Sequence, residues 1–286
     1  MSLTEESLIC LGPHGFFHLA YTCFRPPEAS GPPVVCVHGL TRNGHDFDAL
    51  AERLARGRHV VAPDMPGRGK SDWLSVKTDY GYPLYLSAVA ALIGSLGSDT
   101  IDYVGTSMGG IIGMMLASQP NSPIRRLVLN DVGPLIPKAA LERIGTYVGK
   151  GEEFADLGAL EAYFRAVSAP FGRLTDLQWR SMAKHGHRRL ENGKLALGYD
   201  PDIGLPFRGE QQDVDLWQFY DLIRCPTLVV RGAQSDLLLA DTAAEMTRRG
   251  PKAELYEVAE AGHAPALMAE EQIDTVERFL EAGHLG

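Results

Sequence analysis

The chain has 286 residues, of which 45% are hydrophobic and 22% are charged. These proportions are those of an ordinary globular protein, and they exclude a disordered chain, a collagen-like repeat and a coiled coil. The 27 basic and 36 acidic side chains give a net charge of −9 with neutral histidines. Nucleic acid is therefore disfavoured as a partner, because an acidic surface repels phosphate.

The expected location follows from the N-terminus and the cysteines. No run of about eighteen apolar residues is found, and Glu5, Glu6 and Pro13 interrupt the N-terminal stretch, which has no signal-peptide core. The four cysteines lack CxxC spacing, which predicts free thiols in a reducing compartment. We expect a cytoplasmic protein that does not contact a membrane. It is expected to be a monomer or homodimer, and its expected partner is a small-molecule substrate.

The predicted elements begin with a hairpin, in which Ser7–Leu11 and Phe16–Phe24 flank a turn containing glycine and proline. Six short apolar runs follow along the chain: Val34–Val37, His59–Ala62, Ile101–Val104, Leu127–Leu129, Thr227–Val230 and Leu255–Val258. Continuous apolarity is typical of strands buried on both faces. Segments of helical period separate several of these runs, so the sequence predicts a parallel sheet covered by helices.

The alternation stops between about residues 133 and 223. This stretch shows three helical patterns, Leu141–Val148, Leu160–Val167 and Leu177–His185, but no buried-strand run. We therefore predict a core formed by residues 1–133 and 223–286. Residues 134–222 are predicted to form a helical cap, inserted between two core strands over the sheet.

The most specific local motif is GxSxG at residues 105–109, Gly-Thr-Ser-Met-Gly. It follows the predicted strand Ile101–Val104 and precedes an apolar helix at Ile111–Ala117. A turn this tight between a strand and a helix strains the serine backbone and exposes its hydroxyl, and the flanking glycines prevent clashes. This context predicts that Ser107 is a nucleophile.

A serine hydroxyl needs a base to remove its proton. His263 lies after the last predicted strand and before the last helix, at the carboxyl end of a strand, where parallel-sheet enzymes place their chemistry. We choose Asp236, which follows Thr227–Val230, as the acid that orients the imidazole. Asp131 is the alternative acid, because it also follows a predicted strand.

The oxyanion formed during acyl transfer needs two backbone N–H donors. Met108, directly after the nucleophile, is one predicted donor. Leu40 is the other, in the loop after Val34–Val37, where Gly39 permits unusual dihedral angles. The ring of His38 is predicted to hydrogen-bond nearby backbone and shape this loop.

Together these motifs resemble the α/β-hydrolase fold family, in its serine-nucleophile branch with a helical cap. The resemblance covers nearly the whole chain and rests on His38–Leu40, Asp64–Ser71, Gly105–Gly110, Cys225–Thr227 with Gly232 and Asp236, and Gly262 with His263. It implies an α/β fold, with a mostly parallel eight-stranded sheet flanked by helices and an N-terminal antiparallel hairpin. It also implies a Ser107–His263–Asp236 triad, with Leu40 and Met108 framing the oxyanion hole.

Two other motifs are interpreted as structural. The glycine-rich loop Asp64–Ser71 lacks the spacing of a phosphate-binding loop, so we interpret it as a turn at the sheet edge. The pair His185 and His187 has no acidic or cysteine partner at ligand spacing. We therefore predict no metal and no cofactor.

The serine nucleophile favours attack on a carbonyl carbon. We predict hydrolysis of a carboxylic ester, or a related thioester or lactone, of a small apolar substrate through an acyl-enzyme. Carbon–carbon bond hydrolysis of ring-cleavage diketones is an alternative, with Arg42 and Asn43 as candidate groups for the substrate's carboxylate. A low-turnover ligand-binding receptor is another alternative.

Overall fold

A computed structural model describes residues 2–282; Met1 and residues 283–286, at the two ends of the predicted core, lie outside the described residues. The strands are β1 (Ser2–Gly12), β2 (Gly15–Arg25), β3 (Val34–Val37), β4 (Val60–Pro63), β5 (Ile101–Thr106), β6 (Ile124–Asn130), β7 (Leu135–Ile136), β8 (Glu153–Phe154), β9 (His187–Arg189), β10 (Leu195–Leu197), β11 (Val214–Asp215), β12 (Thr227–Gly232) and β13 (Glu254–Val258).

The α-helices are α1 (Asp48–Leu54), α2 (Tyr82–Ser95), α3 (Met108–Ala117), α4 (Lys138–Gly145), α5 (Leu157–Val167), α6 (Asp176–His185), α7 (Trp217–Tyr220), α8 (Ala240–Met246) and α9 (Glu270–Glu281). Short 3₁₀ helices lie at Gly44–Phe47, Lys77–Asp79, Ala169–Phe171 and Pro201–Phe207. Within the described residues, no helix is both long enough and apolar enough to cross a membrane.

The main sheet has eight strands in the order β1-β2-β4-β3-β5-β6-β12-β13. The hairpin β1–β2 is antiparallel over its full length, and β2 pairs antiparallel with β4. All pairs from β4 onward are parallel. The predicted fold class, a mostly parallel eight-stranded sheet with an N-terminal antiparallel hairpin, is confirmed.

Both faces of the sheet are covered by helices, as strand β3 illustrates. Its four residues are fully buried. Val35 and Val37 belong to the apolar cluster that includes α2 and α3, whereas Val34 and Cys36 belong to the cluster with α1 and α9. Since successive strand side chains point to opposite faces, a strand buried on both sides must be apolar at every position, which is the pattern seen in the sequence.

Strand β13 departs from that pattern. The sequence predicts that Leu255–Val258 is buried on both faces, but Leu255 is 37% exposed and no residue of β13 is fully buried. The place of β13 in the sheet explains its exposure, because it is the last strand and has a neighbouring strand on one side only.

Residues 134–222, here called the inserted segment, connect β6 to the loop before β12. Helices α4, α5 and α6 lie close to the three predicted helical patterns. The sequence shows no buried-strand run here, yet the segment also contains the small sheets β8-β10-β9 and β11-β7. These strands have two or three residues each, too few for a period-two pattern to be recognised.

Candidate active site

Ser107 occupies a sharp turn between β5 and α3. Its backbone has φ +52° and ψ −115°, a left-handed conformation that is costly for any residue with a side chain. The Ser107 N–H donates to the carbonyl of Asn130 at 3.0 Å, so the end of β6 holds the turn in place. This is the strained elbow that the GxSxG motif predicts.

Two glycines of the motif are required by close backbone approach. A Cβ on Gly105 would lie 2.4 Å from the carbonyl oxygen of Gly109, and a Cβ on Gly109 would lie 2.0 Å from that of Val37. Neither position has room for a side chain, because α3 begins directly against β3 and β5. The glycines allow the helix to start at the serine.

His263 lies against the nucleophile. Its Nε2 is 2.9 Å from Ser107 Oγ, although the two residues are 156 positions apart in the chain. On the other side of the ring, Nδ1 is 2.7 Å from Oδ2 of Asp131. With Nδ1 donating to that carboxylate, Nε2 is left to accept from the serine hydroxyl.

The acid beside the imidazole is therefore Asp131, and the prediction that Asp236 contacts His263 is wrong. The Asp131 side chain is fully buried and accepts two further hydrogen bonds, from the Gly232 N–H at 2.7 Å and from the Ser235 hydroxyl at 2.6 Å. Three donors thus fix the carboxylate in one orientation against the imidazole.

Asp236 points away from this cluster because of the turn that follows β12. The Ser235 hydroxyl faces inward to Asp131 and accepts from the backbone N–H groups of Leu237 and Leu238. Asp236, the next residue after Ser235, is turned outward, and its side chain is half exposed. It forms a two-pronged ion pair with Arg143, at 2.5 and 2.9 Å.

The predicted oxyanion loop also lies against the nucleophile. A Cβ on Gly39 would be 3.7 Å from Ser107 Cβ, and Leu40 lines the same cavity as Ser107. His38 accepts from the Met65 N–H through Nε2 at 2.9 Å and donates to the Gly39 carbonyl through Nδ1 at 2.6 Å. Burial lowers the pKa of His38 to about 3, so the ring is a neutral brace for this loop.

Arg68 is a site residue that the sequence interpretation missed. Its side chain is completely buried, and Nε donates to the carbonyl of Leu40 at 2.8 Å while Nη2 lies 3.7 Å from Met108 Sδ. Arg68 Nη1 donates to the carbonyl of Pro66 and to the hydroxyl of Tyr85. The glycine-rich loop thus anchors both residues of the predicted oxyanion hole. A basic residue between two glycines was the available signal.

Asn130 was also missed. It is completely buried, and its side-chain amide donates to the Thr106 hydroxyl at 3.0 Å and to the carbonyl of Pro265 at 2.8 Å. It therefore links the residue before the nucleophile to the loop that carries His263. The polar residue at the end of the apolar strand β6 was the signal in the sequence.

A small cavity of about 110 Å³ opens onto Ser107 and His263, with walls from both the core and the inserted segment. The inserted segment contributes mainly apolar and aromatic side chains, which are Ile144, Tyr147, Tyr163, Phe164, Val167, Phe171, Met182, Leu197 and Tyr199. A mostly apolar concave site with a few polar groups is typical of a small-molecule site.

The two candidate substrate-binding residues are placed differently. Arg42 lines the cavity, where its guanidinium is held by Asp46 at 2.6 and 2.8 Å. Asn43 is absent from the cavity lining. Its amide donates to the carbonyl of His185 and its oxygen accepts from the His45 N–H, so it joins the core to the inserted segment.

One group of side chains has the composition of a metal site. His45, Asp48 and His185 place ligand atoms within 4.8 Å of one another, so His185 has an acidic neighbour that the sequence spacing did not reveal. His45 Nδ1 is already hydrogen-bonded to Asp48 at 3.0 Å, and its ring stacks on that of His185. These residues do not line the Ser107 cavity.

Comparison with known proteins agrees with this architecture. The family model described as alpha/beta hydrolase fold matches residues 32–268. The 3-hydroxybutyrate-oligomer hydrolase of Cupriavidus necator is 43% identical, covering 94% of this chain and 95% of that protein. The 2-(acetamidomethylene)succinate hydrolase of Mesorhizobium japonicum is 29% identical, covering 82% and 83%. The crystal structure of a putative hydrolase from Rickettsia typhi superposes with a TM-score of 0.90 at 32% identity, covering 98% and 99%.

The family match spans most of the chain, and the relative from Cupriavidus is similar over nearly its whole length. The predictions of the family and of an enzyme of the hydrolase class are confirmed. This chain belongs to the α/β-hydrolase fold family.

Proposed function

We propose that the protein is a serine hydrolase that cleaves ester bonds in short oligomers of 3-hydroxybutyrate or closely related 3-hydroxy acids. The observation that carries the proposal is the continuous hydrogen-bonded path from Ser107 through His263 to Asp131, at 2.9 and 2.7 Å. The substrate class is supported by the 43% identical relative, which is named for 3-hydroxybutyrate oligomers.

In the proposed reaction, Ser107 Oγ attacks the ester carbonyl carbon while His263 Nε2 takes its proton. The oxyanion is held by the N–H groups of Leu40 and Met108. The carbon–oxygen bond to the leaving unit then breaks, and His263 returns the proton to the departing alkoxide. Water, deprotonated by the same imidazole, hydrolyses the acyl-enzyme. Asp131 keeps the imidazole oriented and stabilises its positive charge.

We propose that the inserted segment selects the substrate. It supplies most of the apolar wall opposite the nucleophile, so the methyl-bearing backbone of a 3-hydroxybutyrate unit has surface to contact. The low volume of the cavity favours short oligomers over long chains.

The test is release of 3-hydroxybutyrate from its linear dimer and trimer, measured by chromatography with the wild type and with Ser107→Ala. We expect release that disappears in Ser107→Ala. Ser118→Ala is the matched control, because Ser118 ends α3 with its hydroxyl bonded to Met115. Decay of a coloured dienoic diketone without ester cleavage would favour the carbon–carbon hydrolase. Binding without turnover of any substrate would favour the receptor.

A further inference from the structure

Two guanidinium groups line the cavity, and they differ in how they are neutralised. Arg42 is paired with Asp46, and both side chains are mostly buried, with 8% and 20% exposed. Asp46 itself lines the cavity, and the Arg42 guanidinium also lies 4.9 Å over the ring of Phe164. Arg42 is therefore a fixed group whose charge is offset inside the cavity.

Arg143 is held more loosely. It projects from α4 in the inserted segment to Asp236 in the loop after β12, and the two side chains are 40% and 50% exposed. Ion pairs this exposed are weak, since water screens the charges and solvates each partner when they separate. The Arg143–Asp236 pair can therefore open at little cost.

The charge that the cavity presents to a ligand also differs between the two arginines. Arg143 lines the cavity, whereas Asp236 is not among its lining residues. Of the carboxylates and guanidinium groups that line the cavity, the Asp46 carboxylate neutralises the charge of Arg42. Arg143 has no counter-charge inside the cavity. The face of Arg143 that meets a ligand is therefore positive.

Arg143 lines the same cavity as Ser107 and His263. Its partner Asp236 directly follows Ser235, whose hydroxyl donates to Asp131, the acid beside His263. The geometry of the Asp236 contact, with Nε and Nη2 each meeting one oxygen, is the two-pronged arrangement that guanidinium forms with a carboxylate.

We propose that Arg143 is a carboxylate-binding subsite that receives the terminal carboxylate of an acidic ester substrate, with Asp236 as the internal carboxylate that it exchanges. The subsite rests on the proposed function and narrows it to esters that carry a free acid group near the ester bond. Asp236 keeps the guanidinium in place between turnovers and withdraws when the substrate's carboxylate binds.

The experiment compares the linear 3-hydroxybutyrate dimer as free acid with its methyl ester, which keeps the ester bond between the two units and has no charge; only cleavage of that shared bond is counted. The measured quantity is the ratio of kcat/KM for the acid to that for the methyl ester. In Arg143→Gln this ratio falls by about tenfold or more, because the charged hydrogen bonds to the carboxylate are lost. Arg143→Lys retains the positive charge but not the two-pronged hydrogen bonding of the guanidinium, so the ratio falls less in this variant than in Arg143→Gln.

Arg165→Gln is the matched control. Arg165 lies on α5 of the same inserted segment, is 38% exposed, and pairs with Glu161 and Asp176 outside the cavity, so its substitution leaves the ratio and the activity unchanged. In Asp236→Asn the ratio rises, because the competing carboxylate is gone.

The outcomes separate the subsite from the proposed function. If both substrates are hydrolysed and the ratio in Arg143→Gln equals that of the wild type, the subsite is overturned while the ester hydrolase stands. A parallel loss on both substrates likewise assigns Arg143 a structural role and overturns the subsite. If neither substrate is hydrolysed in a Ser107-dependent way, the proposed function itself fails.

Discussion

The carboxyl edge of the sheet and the inserted segment face each other across the cavity, and they hold their polar groups in different ways. At the sheet edge, Asp131 is fully buried and receives three hydrogen bonds. On the inserted segment, Arg143 is 40% exposed and meets one carboxylate that is itself half exposed. The first arrangement holds a buried carboxylate in one orientation, whereas the second is an exposed ion pair that can open at little cost.

This comparison predicts that substitutions at the sheet edge abolish turnover, while substitutions in the inserted segment change which substrate is preferred. The largest effect is expected for the nucleophile and base. Ser107→Ala and His263→Ala each lower kcat by about 10⁴-fold or more, and the double variant is no worse than either single one, because the two groups act as a unit. Steady-state assays of the three variants check this, and additive losses would contradict a shared proton path.

The next effect separates the two acids. Asp131→Asn lowers kcat by about 10³- to 10⁴-fold, because an amide cannot hold the imidazole in the required tautomer or stabilise its charge. Asp236→Asn on a neutral ester lowers kcat by less than about tenfold, since only a half-exposed ion pair is lost. Parallel assays of both variants with a p-nitrophenyl ester measure the two losses of kcat. A larger loss in Asp236→Asn than in Asp131→Asn would restore Asp236 as the functional acid.

An intermediate effect is expected at Arg68. Arg68→Lys removes the guanidinium contacts with Leu40, Pro66 and Tyr85. Since complete loss of one oxyanion donor costs about 10²- to 10³-fold in kcat, a shift of the donors in this variant is expected to lower kcat by about 10- to 100-fold. KM changes less, because the apolar wall is intact. Equal kcat in the variant, with the fold retained by circular dichroism, would show that the oxyanion loop does not depend on this side chain.

The smallest effect is expected in the wall of the inserted segment. Phe171→Ala enlarges the cavity beside Ser107 and shifts preference toward longer or bulkier acyl groups by about tenfold, the low end of the range that one apolar contact provides. Competition between 3-hydroxybutyrate and 3-hydroxyhexanoate dimers measures the shift. A loss of turnover as large as that of Asp131→Asn would remove the distinction between the two sides of the cavity.

The sequence predicted the sheet edge better than the inserted segment, for physical reasons. Ser107 and His263 were predicted because each lies in a loop between a predicted strand and a helix, where the local pattern indicates the carboxyl edge of the sheet. The choice between Asp131 and Asp236 could not be made from pattern, since β6 and β12 are neighbours in the sheet. The turn at Ser235 decides it, by directing the serine inward and Asp236 outward.

The inserted segment left weaker signals. Its strands of two or three residues are too short for a recognisable period, and its wall residues are also its own core, so the pattern cannot tell which of them face the cavity. Of the aromatic residues in this segment, Tyr147, Tyr163, Phe164, Phe171 and Tyr199 line the cavity, whereas Trp179 is buried elsewhere. Arg68 was missed because buried arginines are rare and the loop around it has the composition of a turn.

In the proposed reaction, Ser107 carries the acyl group during ester hydrolysis. Acid-quenching the enzyme during turnover of p-nitrophenyl 3-hydroxybutyrate, followed by mapping of the modified peptide by mass spectrometry, measures this acyl-enzyme. We expect a 3-hydroxybutyryl adduct on Ser107 that accumulates in Asp131→Asn or the wild type and is absent in Ser107→Ala. Continued turnover in Ser107→Ala, with no adduct on the wild-type serine, would contradict it.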